Sequence, residues 1–326
     1  MRIEIWADVV CAWAYIGKRR VERALAGRDE DNEVVWRPFR IDPTAPAGAV
    51  ALEEALRDPL MDEALRACAP GLTPAQNRVR ISEVAATEGL GPNWGSPWRV
   101  SSHDAHRLIA LAYEHGGAGL QDAVAEAVMR ANFLHSMDIG DRAVLGSVAA
   151  SAGFPQGAAL LHTDAGEALV AELLLQGKAR GVRTSPTLVV GDRALGGAQS
   201  PRVIAEFLAR GRPGRAVPAE VERLRWAESL LDRRDPLGAL VLLRPLMEEF
   251  GADRGVRLLA ARACFASAQL RRARALLEAV VEETPADPYA RMLYGRTLQR
   301  LGLDEEARVH LRLADPASGA MSGTGG

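Results

Sequence analysis

Apolar residues alternate along Ile3, Ile5 and Ala7, recur at roughly helical spacing as Tyr15, Ile16, Val21, Ala24 and Leu25, and return as the β-branched and aromatic run Val34 to Phe39. This pattern predicts a strand over residues 2–7, a helix from about Cys11 to Ala26, and a second strand ended by Asp42-Pro43 and Ala45-Pro46. The chain therefore opens on a β-α-β unit.

From about Ala51 to Arg180 the spacing is almost wholly helical, with breaks at Pro70-Gly71, Gly89 to Pro97, Gly116-Gly117, Gly140 and Gly153 to Gly157. We read residues 51–180 as a helical insertion. Beyond it, Thr187 to Val190 and Arg193 to Leu195 flank Gly191-Asp192, a two-residue connection suited to a β-hairpin. A last helix opens at Ser200-Pro201, where Ser caps and Pro lacks only an N–H that has no helical partner. The order β-α-β, helical block, α, β-β-α is that of an α/β, thioredoxin-like fold carrying a helical insertion.

Gly211 to Pro218 has linker composition, and only helical patterns follow it, so we place a first domain at 1–212 and a second at 213–317. In the second, Ala239, Ala273 and Ala307 stand 34 residues apart, each followed four residues later by Leu243, Leu277 and Leu311. A 34-residue period is the tetratricopeptide signature, a helix pair whose small residues allow close packing on the next pair. The units are about 220–253, 254–287 and 288–321; the last has Gly295 at the small position, and the first has the weakest leading helix. Such an all-α array is expected to bind a protein partner or a second copy of itself. Glycine-rich Ser318 to Gly326 is expected to be a disordered tail.

The 40 basic and 42 acidic side chains leave a net charge of -2 in a chain of 326 residues, which argues against nucleic acid or an anionic membrane as partner. The longest uncharged run, Ala143 to Leu161, is broken by glycines, serines and Pro155 and is too polar to span a bilayer. No signal peptide precedes the first strand, so a cytoplasmic location is expected. Cys11, Cys68 and Cys264 are odd in number and widely spaced, which suits neither a disulfide framework nor a zinc site.

Cys11 falls at the junction of strand and helix, where free backbone N–H groups and the helix dipole favour an anion. A thiolate forming below the ordinary thiol range is therefore expected, with Cys68 and Cys264, inside helical patterns, reacting more slowly. The alternative is a small buried cysteine serving as a hydrophobe. Trp13 and Tyr15 either wall an apolar site or belong to the core. His103 and His106 stand three residues apart on one helix, with no third ligand evident, so no metal site is expected.

The segments DVVCAWAYIGKRR (8–20), WRPF with Asp42-Pro43, AHRL (105–108), GVRTSPTLVV (181–190) and GGAQ (196–199), in this order, resemble the DsbA-like thioredoxin superfamily and its FrnE-like cytoplasmic branch. The resemblance spans residues 1 to about 210. It implies that Cys11 matches the attacking cysteine of a C-P-W-C motif that here reads C-A-W-A, leaving Ala14 at the resolving position. It also implies that Pro186 is the cis-proline facing that cysteine, where spacing alone would read a trans proline at a strand edge. Ser185 before it would contact substrate. Trp13 and His106 join the substrate-binding positions. In glutathione-dependent relatives, the kappa-type transferases and hydroxychromene carboxylate isomerases, the thiol's glutamyl end binds where Ala198, Gln199 and Ser200 stand here, although an ordinary helix cap fits these residues equally well.

Without a second cysteine, a protein disulfide cannot be cycled within the chain. Ala14 is then the mark of a natural monothiol enzyme, of a residue introduced to trap a mixed disulfide, or of lost catalysis; Ala12 in place of proline favours the first. The expected function is that of a single-cysteine thiol-disulfide oxidoreductase acting on a thiol-containing peptide or small molecule, with no firm cofactor beyond a low-molecular-weight thiol such as glutathione. The rivals are a thiol-dependent isomerase or transferase, and a non-catalytic adaptor acting through the repeats.

Overall fold

The structure, a computed structural model, describes residues 1–26, 32–210 and 217–315. These form two compact units that part between Arg210 and Val217, with Lys178–Arg180 grouped with the second. Most of the expected linker and the whole expected tail lie outside the described residues.

In the first unit β1 (Arg2–Ala7), α1 (Ala12–Leu25) and β2 (Glu33–Pro38) form the expected β-α-β, with β1 and β2 parallel and Ile5 opposite Trp36. Parallel pairing requires such a crossover helix. The insertion begins with β3 (Val50–Ala51), α2 (Leu52–Ala55), α3 (Pro59–Cys68) and α4 (Pro74–Thr87), and continues with β4 (Trp98–Arg99), α5 (His103–Phe133), α6 (Arg142–Ser151), α7 (Gly157–Leu161) and α8 (Glu167–Ala179). The break expected at Gly116-Gly117 is a kink inside α5, where Gly117 takes a φ of 69° that a side chain would resist. The two-residue ribbon of β3 with β4 is absent from the sequence reading, because strands this short carry no periodicity.

After the insertion β5 (Thr187–Val190) and β6 (Arg193–Gly196) pair antiparallel across Gly191-Asp192, and α9 (Pro201–Ala209) follows. The sheet order is β2-β1-β5-β6, so β1 lies inside with a parallel neighbour on one side and an antiparallel one on the other. Ile3, Ile5, Trp6 and Ala7 are all buried, as a central strand covered on both faces demands. The helix-packed sheet directs the C-terminal end of β1 to the start of α1, and this junction carries Cys11.

The second unit is three antiparallel helix pairs: α10 (Ala219–Asp232) with α11 (Pro236–Glu249), α12 (Arg254–Ala266) with α13 (Leu270–Glu283), and α14 (Pro288–Arg300) with α15 (Asp304–Ala314). Ala239, Ala273 and Ala307 are fully buried. A second series of small residues at the same period, Ala227, Ala261 and Gly295, is buried in the leading helices and makes α10 a full member of the array. A Cβ on Gly295 would stand 2.7 Å from Leu311 Cγ, so only glycine allows α14 and α15 to approach this closely. No helix among the described residues is long and apolar enough to cross a membrane.

Candidate functional site

Cys11 is the N-cap of α1, with extended backbone (φ −87°, ψ 114°), and its N–H donates to Asp8 O at 3.0 Å. Its thiol donates to Ser185 O at 3.4 Å, across the sheet on the loop that leads into β5. The Ser185-Pro186 peptide is cis, and both residues are buried. The Asp8 N–H donates to Ser185 Oγ at 2.9 Å, so the loop is held to the end of β1 through the serine hydroxyl as well as through the sulfur. The structure thus brings Cys11, Ser185 and Pro186 together.

The thiol is not acidified. Cys11 is 8% exposed, and burial pushes its ionisation up from the ordinary range. The Ser185 hydroxyl and the N–H groups of Ala14 and Trp13 favour the thiolate, the nearby Asp8 carboxylate opposes it, and desolvation wins. Exposure runs the other way from the expected order of reaction at one position: Cys68, the last residue of α3, is exposed, whereas Cys11 and Cys264 are buried.

Ala14 is fully buried, one turn into α1, with its N–H on Cys11 O at 2.9 Å. Trp13 is half-buried with Arg80 over its ring, whereas Tyr15 is fully buried and stacks on Trp94 and Phe133. Of the two aromatic residues, only Trp13 reaches solvent. Gln199 donates to Gly196 O at 2.8 Å, and Ser200 Oγ accepts from Val203 N at 3.4 Å as the cap of α9. These side chains hold the turn and the helix start. Their segment is tied to the cysteine loop through Gly197 N–H, which donates to Pro186 O at 2.7 Å.

The two histidines part company. His106, 4% exposed, stands 3.0 Å from Phe39 O and 3.4 Å from Asp8 Oδ1, whereas His103 turns to Glu167 at 2.7 Å. Ligand-type atoms of His103, Asp104 and Glu167 lie within 4.8 Å of one another, a grouping that sequence spacing could not reveal. Arg107 pairs with both carboxylates and Arg142 with Asp104, which supplies the positive charge a metal would bring. We read the cluster as an ion-pair network.

A model of the DSBA-like thioredoxin domain matches residues 2–209. The chain belongs to the DSBA-like thioredoxin family. A tetratricopeptide repeat model matches residues 230–297 of this DSBA-like protein. Among solved structures, a probable DsbA oxidoreductase from Streptomyces coelicolor is similar at 27% identity and a TM-score of 0.55, over 67% of this chain and 94% of that one. A 2-hydroxychromene-2-carboxylate isomerase shares the fold at 15% identity and a TM-score of 0.50, over 64% of this chain and 95% of that one. No curated protein matches the chain.

Two residues of this DSBA-like site escape a reading by residue type. Asp8, three residues before Cys11, is 1% exposed, and the available signals are its place just after a strand and at the head of the segment DVVCAWAYIGKRR. Gly17 sits within α1 where a Cβ would stand 2.9 Å from Pro186 Cγ and 3.6 Å from Ala198 Cβ. Gly17→Val should therefore push the proline loop away from the helix and destabilise the first unit by about 1–3 kcal/mol. Five of the six tryptophans lie in that unit, so urea unfolding followed by tryptophan fluorescence reads the change; an unaltered midpoint would show that the loop yields freely.

Proposed function

We propose that this DSBA-like protein is a single-thiol oxidoreductase of the FrnE-like branch, working in the cytoplasm. Cys11 attacks one sulfur of a disulfide R–S–S–R′, forming Cys11–S–S–R and releasing R′–S⁻, which takes up the proton Cys11 gave up. A free low-molecular-weight thiol of the glutathione kind then attacks the mixed disulfide and restores Cys11, the step that Ala14 is unable to perform. The carrying observation is the approach of Cys11 Sγ to the backbone of Ser185 at 3.4 Å, which puts the sulfur beside the loop that leads into β5, where a thiol-bearing peptide could pair with the backbone as an added strand. The description of the Streptomyces relative as a probable DsbA oxidoreductase supports the reading.

One observation favours a second reading, the non-catalytic adaptor: the burial of Cys11. In that case the repeats act alone. An apolar groove of about 640 Å³ between α11, α12 and α13, walled by Leu237, Val241, Met247 and Leu276, supports a protein partner there under either reading.

The test removes the exposed thiol first. A Cys68→Ser chain exposed to oxidised glutathione should gain the mass of one glutathionyl group at Cys11, and Cys11→Ser in that background should gain none at that position. Absence of the Cys11 adduct across neutral and alkaline pH would leave the adaptor as the better account.

A further inference from the structure

Helix α4 is laid along α1 at two points. It opens on a capping box of Thr73 and Gln76 with Pro74 in its first turn, and just past its end Glu88, with a side chain 4% exposed, takes Arg20 at 2.7 Å and also Arg23. About two turns earlier, Arg80 stands over the Trp13 ring, 5.6 Å from its centre. The pairs Trp13 with Arg80 and Arg20 with Glu88 are separated by about 10–12 Å along each helix, so α1 and α4 run side by side in the same direction. The buried carboxylate anchors one end of this contact. The other end brings an arginine over the aromatic residue of the cysteine motif that reaches solvent.

The cations along this contact differ in what they hold. On α1, Lys18 pairs with Asp122 at 3.0 Å, Arg19 with Glu22 at 2.8 Å, and Arg20 and Arg23 share Glu88. Arg80 is exposed and, among the described residues, holds no carboxylate, not even that of Glu83 on the same helix; its partner is the indole ring. A guanidinium drawn to a ring by its charge keeps its N–H donors free, and their flat fork fits a carboxylate with two parallel hydrogen bonds.

Cys11 and Trp13 both lie at the start of α1, two residues apart in the chain. A carboxylate one or two residue lengths from a sulfur that meets Cys11, about 4–7 Å away, therefore falls where the Arg80 fork can take it. We propose that Arg80 is a specificity-determining residue of the thiol site, binding the carboxylate of a small anionic thiol, free or in its disulfide, as that thiol exchanges with Cys11. This deepens the single-thiol reading and rests on it. The exchange itself is unchanged, with the same sulfur–sulfur bonds made and broken, and Arg80 adds binding and orientation. Trp13 is its platform, and Glu88 is a positioning residue that keeps α4 beside α1.

The test uses the full Cys68→Ser chain and three small disulfides that differ in charge: anionic dithiodipropionate, neutral hydroxyethyl disulfide and cationic cystamine. The rate of adduct formation at Cys11 is read peptide by peptide by mass spectrometry. Removing one charge close to the reacting sulfur, Arg80→Gln should slow the anion about threefold, speed the cation by about as much, and leave the neutral disulfide as it was. Arg80→Lys should keep most of the preference and Arg80→Glu should invert it, with both effects fading at high salt. Arg78→Gln, on the opposite side of α4, should change none of the three rates. Equal changes in all three rates with Arg80→Gln would mark a merely structural residue, and an equal effect of Arg78→Gln a general surface field; either result overturns the proposal. A second measurement needs no reaction at the sulfur. S-methylglutathione, which carries the carboxylates without a thiol, should shift the indole N–H resonance of Trp13, assigned by its loss in Trp13→Phe, and Arg80→Gln should weaken that binding by at least about threefold. If Cys11 forms no adduct with any disulfide, the oxidoreductase reading falls, and this titration alone decides whether Arg80 holds an anion. An unmoved Trp13 resonance, or equal titrations with and without Arg80, would refute the site.

Discussion

An Ala14→Cys variant should form a disulfide between residues 11 and 14 under mild oxidation and exchange it with a reduced test protein, a turnover not expected of the chain with alanine at this position. The expectation follows from local geometry. Helix α1 starts immediately after Cys11, and the Ala14 N–H closes its first turn on Cys11 O at 2.9 Å. Side chains at such i and i+3 positions are neighbours at about 5–6 Å between Cβ atoms, close enough for small adjustments to bring two sulfurs into bonding distance. Attack from within the chain replaces a bimolecular step, and intramolecular gains reach many orders of magnitude when the groups are oriented. Ala14 is fully buried, so the added sulfur must be housed by the core, at a cost of about 1–3 kcal/mol. Turnover is measured by the reduction or oxidation of a test disulfide, with Cys11→Ser in the same background as control. If the disulfide forms and no exchange follows, the surroundings of the site, not the missing cysteine alone, separate this chain from dithiol enzymes.

Arg107→Met should destabilise the first unit by about 3–5 kcal/mol. The Arg107 side chain is fully buried, with Nε on Ala165 O at 2.9 Å, one terminal nitrogen on Asp104 at 2.7 Å and the other on Thr163 O at 2.6 Å. Methionine fills much of the volume but donates no hydrogen bond, so two carbonyls lose the donor and the Asp104 carboxylate keeps only Arg142. The pH dependence gives a second readout. Burial would raise the ionisation of Asp104, but hydrogen bonds from Arg142 and Arg107 outweigh it and hold the carboxyl below its usual range. A carboxyl lowered in the folded state contributes stability above its unfolded value, and that contribution is lost as pH falls through the folded one. The gap in unfolding free energy between the wild-type chain and Arg107→Met should therefore narrow on acidification below the ordinary carboxylate range. A gap constant with pH would place the loss in packing, with no part for the ion pair.

How much of the site could be read in advance differs residue by residue. Cys11 stood out because a strand pattern changes into a helix pattern there, and Pro186 because a familiar motif surrounds it. Asp8 heads the segment that carries Cys11, but a single acidic residue after a strand is common and only its burial sets it apart. Gly17 looks like any helical glycine until the proline ring is seen beside it. Gln199 and Ser200 are candidates for a thiol's carboxylate from the resemblance alone, and in the structure their side chains bond Gly196 O and cap α9.

What the sequence by itself determined is what depends on neighbours along the chain: the strand, turn and helix that deliver Cys11, the hairpin across Gly191-Asp192, and the 34-residue rhythm of the helix pairs, all written in hydrophobic periods and in the backbone preferences of Gly, Pro and Ser. What only the tertiary structure decided is what depends on groups far away in sequence. The helix start favours a thiolate at Cys11 through a few local N–H groups, but the layers packed over the sulfur remove its water, and desolvation outweighs the local field. The same holds for the histidines: three residues apart on one helix, one meets the end of β1 and the other a carboxylate at the start of α8, because the burial and partners of a side chain belong to the fold around it.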